Sequence, residues 1–223
     1  MQTEDQPIFV VFGGSFNPIH EGHVALVRGL ATLPRVQQVL VVPARLSPFK
    51  THVTPLPESL RLHMVQVALA GIPRVAVLDL ELRRPAPSYT HQTLLELRTL
   101  YPHAHLQLAL GWDAFREFAG WKNALDIMHL ADLLVVARAG TAALPPGDLS
   151  AWCALLPVAL QTGWTLATPS HLRHPTGCVL QGHDFDLPPL AASELLINRS
   201  LIGVPTAAQP MLSAYWAKTD GNL

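Results

Sequence analysis

Two histidines three residues apart follow a glycine-rich turn near the start of the chain, in the segment VFGGSFNPIHEGH at residues 11–23. Gly13 and Gly14 allow the backbone to approach a ligand or to adopt positive φ values. His20 and His23 lie where a helix is expected to begin, and free backbone N–H groups at a helix start favour anions. Imidazoles in that position can donate hydrogen bonds to phosphate oxygens and can follow the charge that develops in a phosphoryl transition state.

Other interpretations of this loop are weaker. A tight strand-to-helix turn would use the same histidines only to cap and pack, but the two glycines, the Asn-Pro pair and the His-x-Gly-His spacing fall together in one loop. The loop lacks both the Walker pattern and the dinucleotide fingerprint. No nearby cysteine or third histidine has the spacing of a zinc site, so the sequence predicts no resident metal. The other histidines are scattered, and HLRH at 171–174 is expected in a surface loop.

Short apolar runs alternate with amphipathic segments along the first 140 residues. Continuous Val/Leu-rich runs separated by helices are typical of a parallel sheet that is buried on both faces. The pattern predicts strands at 8–12, 37–43, 74–80, 105–111 and 132–138. It predicts helices at 23–33, 58–71 and 91–101. Gly71 is expected just after the second helix, and Ser88 or Thr90 is expected to N-cap the third.

Residues 140–190 hold much of the proline and glycine and give a weaker pattern. A further helix and two short strands are indicated near 151–161, 164–167 and 178–181. No internal repeat or interdomain linker is evident, so residues 1–223 are expected to form a single domain whose C-terminal subdomain, 185–223, is helical. The predicted fold class is α/β, a Rossmann-like doubly wound parallel sheet of at least five strands with a small C-terminal helical part. Ligands bind outside the carboxyl ends of such strands, where the glycine–histidine loop lies.

Bulk composition excludes several function classes. The 223 residues are 49% hydrophobic and 14% charged, which supports a sizeable core and argues against disorder. The formal net charge of -1 gives no field for non-specific binding to nucleic acid or membranes, and no apolar run is long enough to span a bilayer. Two cysteines are too few for a disulfide framework, and the acidic N-terminus is unlike a signal peptide. The expected location is therefore cytoplasmic, and a homo-oligomer is left open.

GGSFNPIHEGH resembles the signature of the nucleotidyltransferase superfamily that carries His-x-Gly-His, and within it is most similar to the bacterial nicotinate-nucleotide adenylyltransferases. Further similarity follows in the same order in VVPARLSPFK, RLHMVQVALA, ELRRPAPSYTHQTLLELRTLYP and LGWDAFREFAGWKNALDIMHLADLLVVARAG. These segments cover most of residues 8–140. The resemblance implies adenylyl transfer from ATP to nicotinate mononucleotide, giving pyrophosphate and deamido-NAD in NAD biosynthesis. It also implies Mg²⁺ on the triphosphate.

The resemblance assigns the first loop to phosphate chemistry. It implies that His20 and His23 are catalytic phosphate contacts, with His23 the better candidate for stabilising the transition state. It implies nucleotide or phosphate contacts for Gly13, Gly14, Ser15, Phe16, Lys50, Gly111, Asp113 and Arg138. Asp113 would bind ribose hydroxyls or orient a metal-bound water. Lys50 and Arg138 also fit ordinary surface positions, and both interpretations stay open.

The segment PSYTHQT is implied to form the pocket for the pyridine ring. Backbone groups near Tyr89 and Thr90 would meet the ring's carboxylate, Ser88 would belong to the same pocket, and Thr93 would support the loop. An N-cap followed by a core-facing tyrosine fits the same residues. Trp121 matches a family tryptophan near the nicotinate ring, where an aromatic face suits a pyridinium, although a plain core tryptophan fits as well.

The C-terminal part departs from the family pattern Ile-Ser-x-Thr-x-Ile-Arg. Its best counterpart is LAASELL at 190–196, in which Ser193 stands for the threonine and Leu196 replaces the arginine. Ser193 is expected to N-cap the helix that follows. Arg199, three residues after Leu196 and on the same helix face, is the candidate to replace the missing guanidinium at the triphosphate. MLSAYWAK then resembles the family's last helix.

Three interpretations therefore stay open at this point. The first is a working adenylyltransferase with a remodelled triphosphate site. The second is an adenylyltransferase with another acceptor, such as nicotinamide mononucleotide or pantetheine phosphate, although PSYTHQT favours a pyridine nucleotide over the pantetheine route. The third is a non-catalytic nucleotide-binding or regulatory relative that kept the first loop and lost turnover.

Overall fold

The computed structural model describes residues 6–48, 54–137, 149–168, 171–185 and 187–220. Within these ranges the β-strands are Ile8–Gly14 (β1), Val36–Pro43 (β2), Val75–Val77 (β3), His105–Gly111 (β4), Asp132–Ala137 (β5), Thr165–Thr168 (β6), His171–Arg173 (β7) and Val179–Asp184 (β8). The α-helices of the same ranges are Glu21–Thr32 (α1), Glu58–Leu69 (α2), Thr90–Leu100 (α3), Trp112–Arg116 (α4), Ala124–Leu130 (α5), Leu149–Cys153 (α6), Ala192–Ile197 (α7) and Gln209–Asp220 (α8). Short 3₁₀ turns occur at Phe118–Gly120 and Val158–Leu160.

The strands form one twisted sheet in the order β3-β2-β1-β4-β5-β8-β7-β6. The pairs from β3 through β8 are parallel, whereas β7 pairs antiparallel with β8 and β6 antiparallel with β7. From β1 the chain winds outward through β2 and β3, then returns to place β4 on the other side of β1. This reversal makes a switch point at the carboxyl ends of β1 and β4, and the prediction of a doubly wound α/β sheet is confirmed.

Both faces of the sheet are buried along the central strands β1, β2, β4 and β5, because helices cover each face there. Along β1 the side chains of Val10 and Phe12 face one core, and that of Val11 faces the other. Helices α1, α2, α7 and α8 contribute to the first core, and α3, α4, α5 and α6 to the second. This double burial explains why the strands read as continuous apolar runs without polar alternation.

Two local predictions in the C-terminal half are wrong. The helix expected near 151–161 is divided into α6 and the 3₁₀ turn Val158–Leu160. Pro157 separates them, because it has no N–H to donate and disfavours helical geometry in the residue before it. The HLRH segment is not a loop, since His171–Arg173 forms β7 and pairs with β8.

The predicted cap at the end of α2 is confirmed, whereas the predicted cap at the start of α3 is wrong. Gly71 has φ +77° and follows the C-cap residue of α2, as predicted. Tyr89, not Ser88 or Thr90, is the N-cap of α3, and no side chain caps the helix there. The Ser88 hydroxyl instead accepts a hydrogen bond from the backbone N–H of Arg45 at 3.0 Å, which is a tertiary contact that outcompetes the local cap.

Candidate functional site

The loop between β1 and α1 closes tightly over the end of its strand. The backbone N–H of Ala44, just after β2, donates to the Gly14 carbonyl at 2.8 Å. Phe16 is 2% exposed with φ +44°, and its ring folds back so that a Cβ at Gly14 would lie 3.1 Å from it. This close approach favours glycine at position 14. The Phe16 side chain belongs to the core, so a contact of Phe16 with a nucleotide would be made through its backbone.

His20 and His23 lie side by side at the start of α1. His20 is 5% exposed and occupies the N-cap, and its backbone N–H donates to Nδ1 of His23 at 3.3 Å. The two rings stack with centroids 3.7 Å apart, and Phe16 meets the His23 ring edge-on at 5.0 Å. Because Nδ1 of His23 accepts this bond, neutral His23 carries its proton on Nε2 and can donate it to a ligand oxygen.

Gly22 keeps the first turn of α1 clear of side chains. A Cβ at this position would lie 3.0 Å from Nδ1 of His20 and 3.3 Å from the carbonyl oxygen of Pro188. The backbone N–H of Glu21 donates to the Gly203 carbonyl at 2.7 Å. The C-terminal segment therefore packs directly on the helix start that carries the histidines.

A buried arginine on α2 joins this loop to the next one. Arg61 is 1% exposed, and at 2.6 to 3.1 Å its guanidinium donates to four backbone carbonyl groups, those of Ser15, Ala44, Arg45 and Leu56. Burial lowers the pKa of Arg61, against the charge of Glu58, which raises it. An arginine stays protonated in proteins, so the group is a fixed cationic clamp. The sequence did not single it out, although RLHM contains it, because an isolated pattern does not separate a buried helix arginine from an exposed one.

Arg45 connects the loop after β2 with the segment PSYTHQT. In addition to the bond from Arg45 to Ser88, the backbone N–H of Ser88 donates to the Leu46 carbonyl at 3.0 Å. The Arg45 side chain donates to the Arg84 carbonyl at 2.9 Å and to the Glu58 carboxylate at 3.0 Å. Ser88 thus holds two loops together.

The buried carboxylate of Glu81 contacts Thr93 of α3 and so supports the segment PSYTHQT. The hydroxyl of Thr93, a residue that is 2% exposed, donates to Oε1 of Glu81 at 2.6 Å and accepts from Arg84 at 2.5 Å. Burial raises the pKa of Glu81, while hydrogen bonds from Thr93 and Ser88 and the charge of Arg84 oppose the rise. Thr93 therefore connects α3 by hydrogen bonds to Glu81 and Arg84, which precede the helix. Glu81 and Arg84 were not among the predicted site residues, although the quoted segment contains both.

The start of α3 faces the turn that follows the 3₁₀ turn Phe118–Gly120. The ammonium of Lys122 lies 4.2 Å from the centre of the Tyr89 ring. Trp121 is half-buried and packs against Phe118, with ring centroids 5.6 Å apart. The structure thus places Trp121 one residue away from the contact between Lys122 and Tyr89.

Gly111 and Asp113 lie at the carboxyl end of β4. Gly111 is the last residue of β4 and the N-cap of α4, and a Cβ there would meet open space. Asp113 is exposed, and its Oδ1 accepts from Arg116 at 3.0 Å. Because β4 pairs in parallel with β1, both residues lie at the same edge of the sheet as the histidine loop.

Ser193 and Arg199 differ from their predicted positions. Ala191 is the N-cap of α7, so Ser193 lies in the first helical turn and does not cap it. The helix ends at Ile197, and Arg199 lies beyond it with φ +46°. The predicted shared helix face of Leu196 and Arg199 is therefore wrong, because a left-handed residue ends the helix before the face continues. Leu196 itself is half-buried and packs against the first core.

Two predicted phosphate contacts, Lys50 and Arg138, lie outside the described residues. Within the described ranges, no three or more His, Cys, Asp or Glu side chains come together in a way that would hold a metal ion. In that part of the chain no helix is both long and apolar enough to cross a membrane. The groups gathered at the loop edge are two imidazoles and the backbone of a helix start, which suit an anionic ligand.

The glycine loop and the paired histidines lie at the switch point of a doubly wound parallel sheet, where proteins of this fold class bind their ligands. The family model described as cytidylyltransferase-like matches residues 11–205, and the chain belongs to that family. A solved structure of the Plasmodium falciparum nicotinic acid mononucleotide adenylyltransferase, complexed with NaAD, shares the fold. Its TM-score is 0.65 at 14% identity, and the match covers 93% of this chain and 95% of that one.

Curated relatives indicate a subgroup within this family. A Syntrophotalea carbinolica protein named "Probable nicotinate-nucleotide adenylyltransferase" is 34% identical over 171 residues, which cover 76% of this chain and 76% of the relative. Proteins of the same name from Carboxydothermus hydrogenoformans and Bacteroides fragilis are 37% and 39% identical over 130 residues, or 58% of this chain. The chain spans 64% and 65% of the length of those two relatives. Within the cytidylyltransferase-like family, it belongs with the nicotinate-nucleotide adenylyltransferases.

Proposed function

We propose that this chain transfers the adenylyl group of ATP to nicotinate mononucleotide, releasing pyrophosphate and forming deamido-NAD. The observation that carries the proposal is the stacked pair His20 and His23 in the glycine loop, which Arg61 and Arg45 connect to PSYTHQT. These hydrogen bonds join the helix start that would bind phosphate to the segment expected to hold a pyridine ring. The names of the curated relatives support the same activity.

In the proposed reaction, a phosphate oxygen of the mononucleotide attacks the α-phosphorus of ATP. The bond from that phosphorus to the bridging oxygen breaks, and pyrophosphate leaves with the electron pair. Charge spreads over the phosphoryl oxygens in the transition state, and Nε2–H of His23 donates to one of them. His20 holds the His23 ring by stacking and contacts phosphate itself. The chain's contribution is positioning and charge stabilisation, without a covalent intermediate.

The remaining predicted residues divide between the two substrates. The phosphates would meet the backbone of Gly13, Gly14, Ser15 and Phe16, together with Lys50, Ser193 and Arg199. The adenosine side would meet Gly111, Asp113 and Arg138. The pyridine would lie near Tyr89, Thr90 and Trp121, with Ser88 and Thr93 holding the loop.

We propose that Mg²⁺ enters with ATP and is not resident in the protein. Mg²⁺ in such sites keeps several waters and is bound through one or two carboxylates plus the substrate phosphates. Asp113 is the exposed carboxylate at the nucleotide edge that would orient a metal-bound water. When bound, the metal supplies charge neutralisation on the triphosphate.

The C-terminal segment favours a second candidate, a nucleotide-binding relative without turnover. Leu196 packs into the first core where the family has an arginine, and Arg199 lies past the helix end. A charge-assisted hydrogen bond to the triphosphate contributes about 1.5–3 kcal/mol, so its loss would weaken the hold on ATP. A third candidate is an adenylyltransferase that uses nicotinamide mononucleotide.

Pyrophosphate release distinguishes these functions. Purified protein is incubated with Mg-ATP and either nicotinate mononucleotide, nicotinamide mononucleotide or no acceptor. We expect release that requires nicotinate mononucleotide and falls by about 10²–10³ in His23→Ala. His63→Ala, which changes an exposed histidine on α2, is the control and keeps the wild-type rate. ATP binding without release would favour the non-catalytic relative, and faster release with nicotinamide mononucleotide would reassign the acceptor.

A further inference from the structure

The turn at 121–123 is fixed against the start of α3. Asn123 is the N-cap of α5 with φ +60°, and its amide nitrogen lies 3.4 Å from Nδ1 of His91. The other ring nitrogen of His91 lies 3.9 Å from the Asp126 carboxylate. The contacts of Asn123 and Asp126 with His91 therefore hold the residues that follow Lys122 beside the first turn of α3.

Lys122 is the cation that this turn presents to α3. Its ammonium lies 4.2 Å from the centre of the half-buried Tyr89 ring, where the ring quadrupole attracts a cation. Among the described residues, no carboxylate lies within 4.0 Å of that ammonium. The nearby acids have other partners, since Asp126 faces His91 and Glu96 lies 3.7 Å from Arg84. The aromatic face thus holds a positive charge that the described protein does not neutralise.

We propose that Lys122 determines acceptor specificity by binding the carboxylate on the pyridine ring of nicotinate mononucleotide. The inference rests on the proposed function, which places that ring beside Tyr89 and Trp121. Nicotinate mononucleotide and nicotinamide mononucleotide share the phosphate, the ribose and the pyridinium, and they differ by a carboxylate in place of a neutral amide. A fixed cation at this point stabilises only the first of the two, and it also opposes the pyridinium charge that both carry.

Calorimetric titration with each mononucleotide, in the absence of ATP, tests the role of Lys122 without requiring turnover. The proteins compared are wild type, Lys122→Met and Lys122→Arg, with Lys218→Met on α8 as a control that removes another exposed lysine. We expect wild type to bind the nicotinate form more tightly. Lys122→Met should weaken that binding about tenfold and leave binding of the nicotinamide form unchanged. Lys122→Arg should keep the preference, and Lys218→Met should match wild type.

Several results would overturn this assignment. They are no preference in wild type, no binding of either mononucleotide, a preference that survives in Lys122→Met, or an equal loss for both ligands. An equal loss would mean that Lys122 only shapes the turn. Failure of the proposed function is a separate result, because it appears as absent pyrophosphate release in wild type.

Discussion

His20 and His23 are closely packed at the start of α1. Stacking at 3.7 Å and one backbone hydrogen bond fix the imidazoles of His20 and His23, and the Pro188 carbonyl lies against the same turn. The glycine of the His-x-Gly-His pattern thus has a steric reason, since a side chain at Gly22 would meet the His20 ring.

Gly22→Ala is expected to destabilise the fold by about 1–3 kcal/mol and to slow pyrophosphate release about tenfold or more. The added methyl group would lie 3.0 Å from the His20 ring nitrogen and displace the ring. Urea unfolding and the release assay measure the two effects. Gly120→Ala, where a Cβ meets open space, should behave as wild type. Similar results for both variants would contradict the steric explanation.

Glu81 gives the stability a dependence on pH. Because burial raises its pKa, the folded protein binds this proton more tightly than the unfolded chain does. The resulting stabilisation is fully present below the ordinary glutamic acid pKa and is lost as pH rises through the folded-state pKa. Relative to Glu81→Gln, wild type should lose unfolding free energy as the pH rises from below the ordinary glutamic acid pKa to neutral and above.

Urea unfolding of both proteins across this pH range measures the difference. Glu117→Gln, at an exposed glutamate, is the control and should show no such trend against wild type. A difference between wild type and Glu81→Gln that stays constant with pH would show that the Glu81 pKa is not raised.

At the scale of elements, Arg61 of α2 holds the segments that follow β1 and β2 against the start of its own helix. It bridges the loop after β1, the end of β2 and the start of its own helix through backbone carbonyls. Backbone acceptors require no particular side chain at Ser15 or Ala44, so the clamp depends on the arginine alone. The planar guanidinium suits this task because it presents several donors in a fixed geometry.

Arg61→Met is expected to lower the unfolding free energy by about 3 kcal/mol or more, since it leaves buried carbonyl oxygens without donors. Arg61→Lys should recover part of the loss. Arg98→Met is the matched control, because Arg98 is exposed and donates to one carbonyl, that of Ala104, at 3.1 Å. Arg98→Met should lower the unfolding free energy by less than about 1 kcal/mol. Equal losses in urea unfolding for Arg61→Met and Arg98→Met would refute the clamp.

At the scale of the whole molecule, the two edges of the sheet have different tasks. The carboxyl edge carries the loops of the candidate site. At the amino edge, Asp132 at the start of β5 contacts both neighbouring strands. Its Oδ1 accepts a hydrogen bond from the Val179 N–H at 2.8 Å, and its Oδ2 lies 2.6 Å from Nε2 of His105. One carboxylate thus connects β4, β5 and β8.

Asp132→Ala is expected to lose about 2 kcal/mol of stability and to keep the wild-type rate of pyrophosphate release while it is folded. The reason is that the lost contacts lie at the opposite edge of the sheet from the histidines. Asp79→Ala, which removes a surface ion pair with Arg83, should cost less than about 1 kcal/mol. A fall in release rate without unfolding in Asp132→Ala would show that the two edges are coupled.

Most of the fold could be predicted because its signals are local. Apolar runs, proline and glycine punctuation and the helix stop at Gly71 indicated β1 to β5 and their helices within a few residues. The short strands near 164–167 and 178–181 were also indicated. Their pairing was not, and HLRH was assigned to a loop, because strand partners in the last third are chosen by tertiary contacts.

The sequence by itself determined that a glycine pair and two histidines lie at a helix start after the first strand, because turn chemistry and residue spacing act over a few positions. Only the tertiary structure decided which distant residues hold those groups. Arg61 reaches Ser15 across 46 positions, Arg45 reaches Ser88 across 43, and the cation beside Tyr89 comes from another helix boundary. Such contacts depend on how the helices pack on the two faces of the sheet, and no local pattern records that packing.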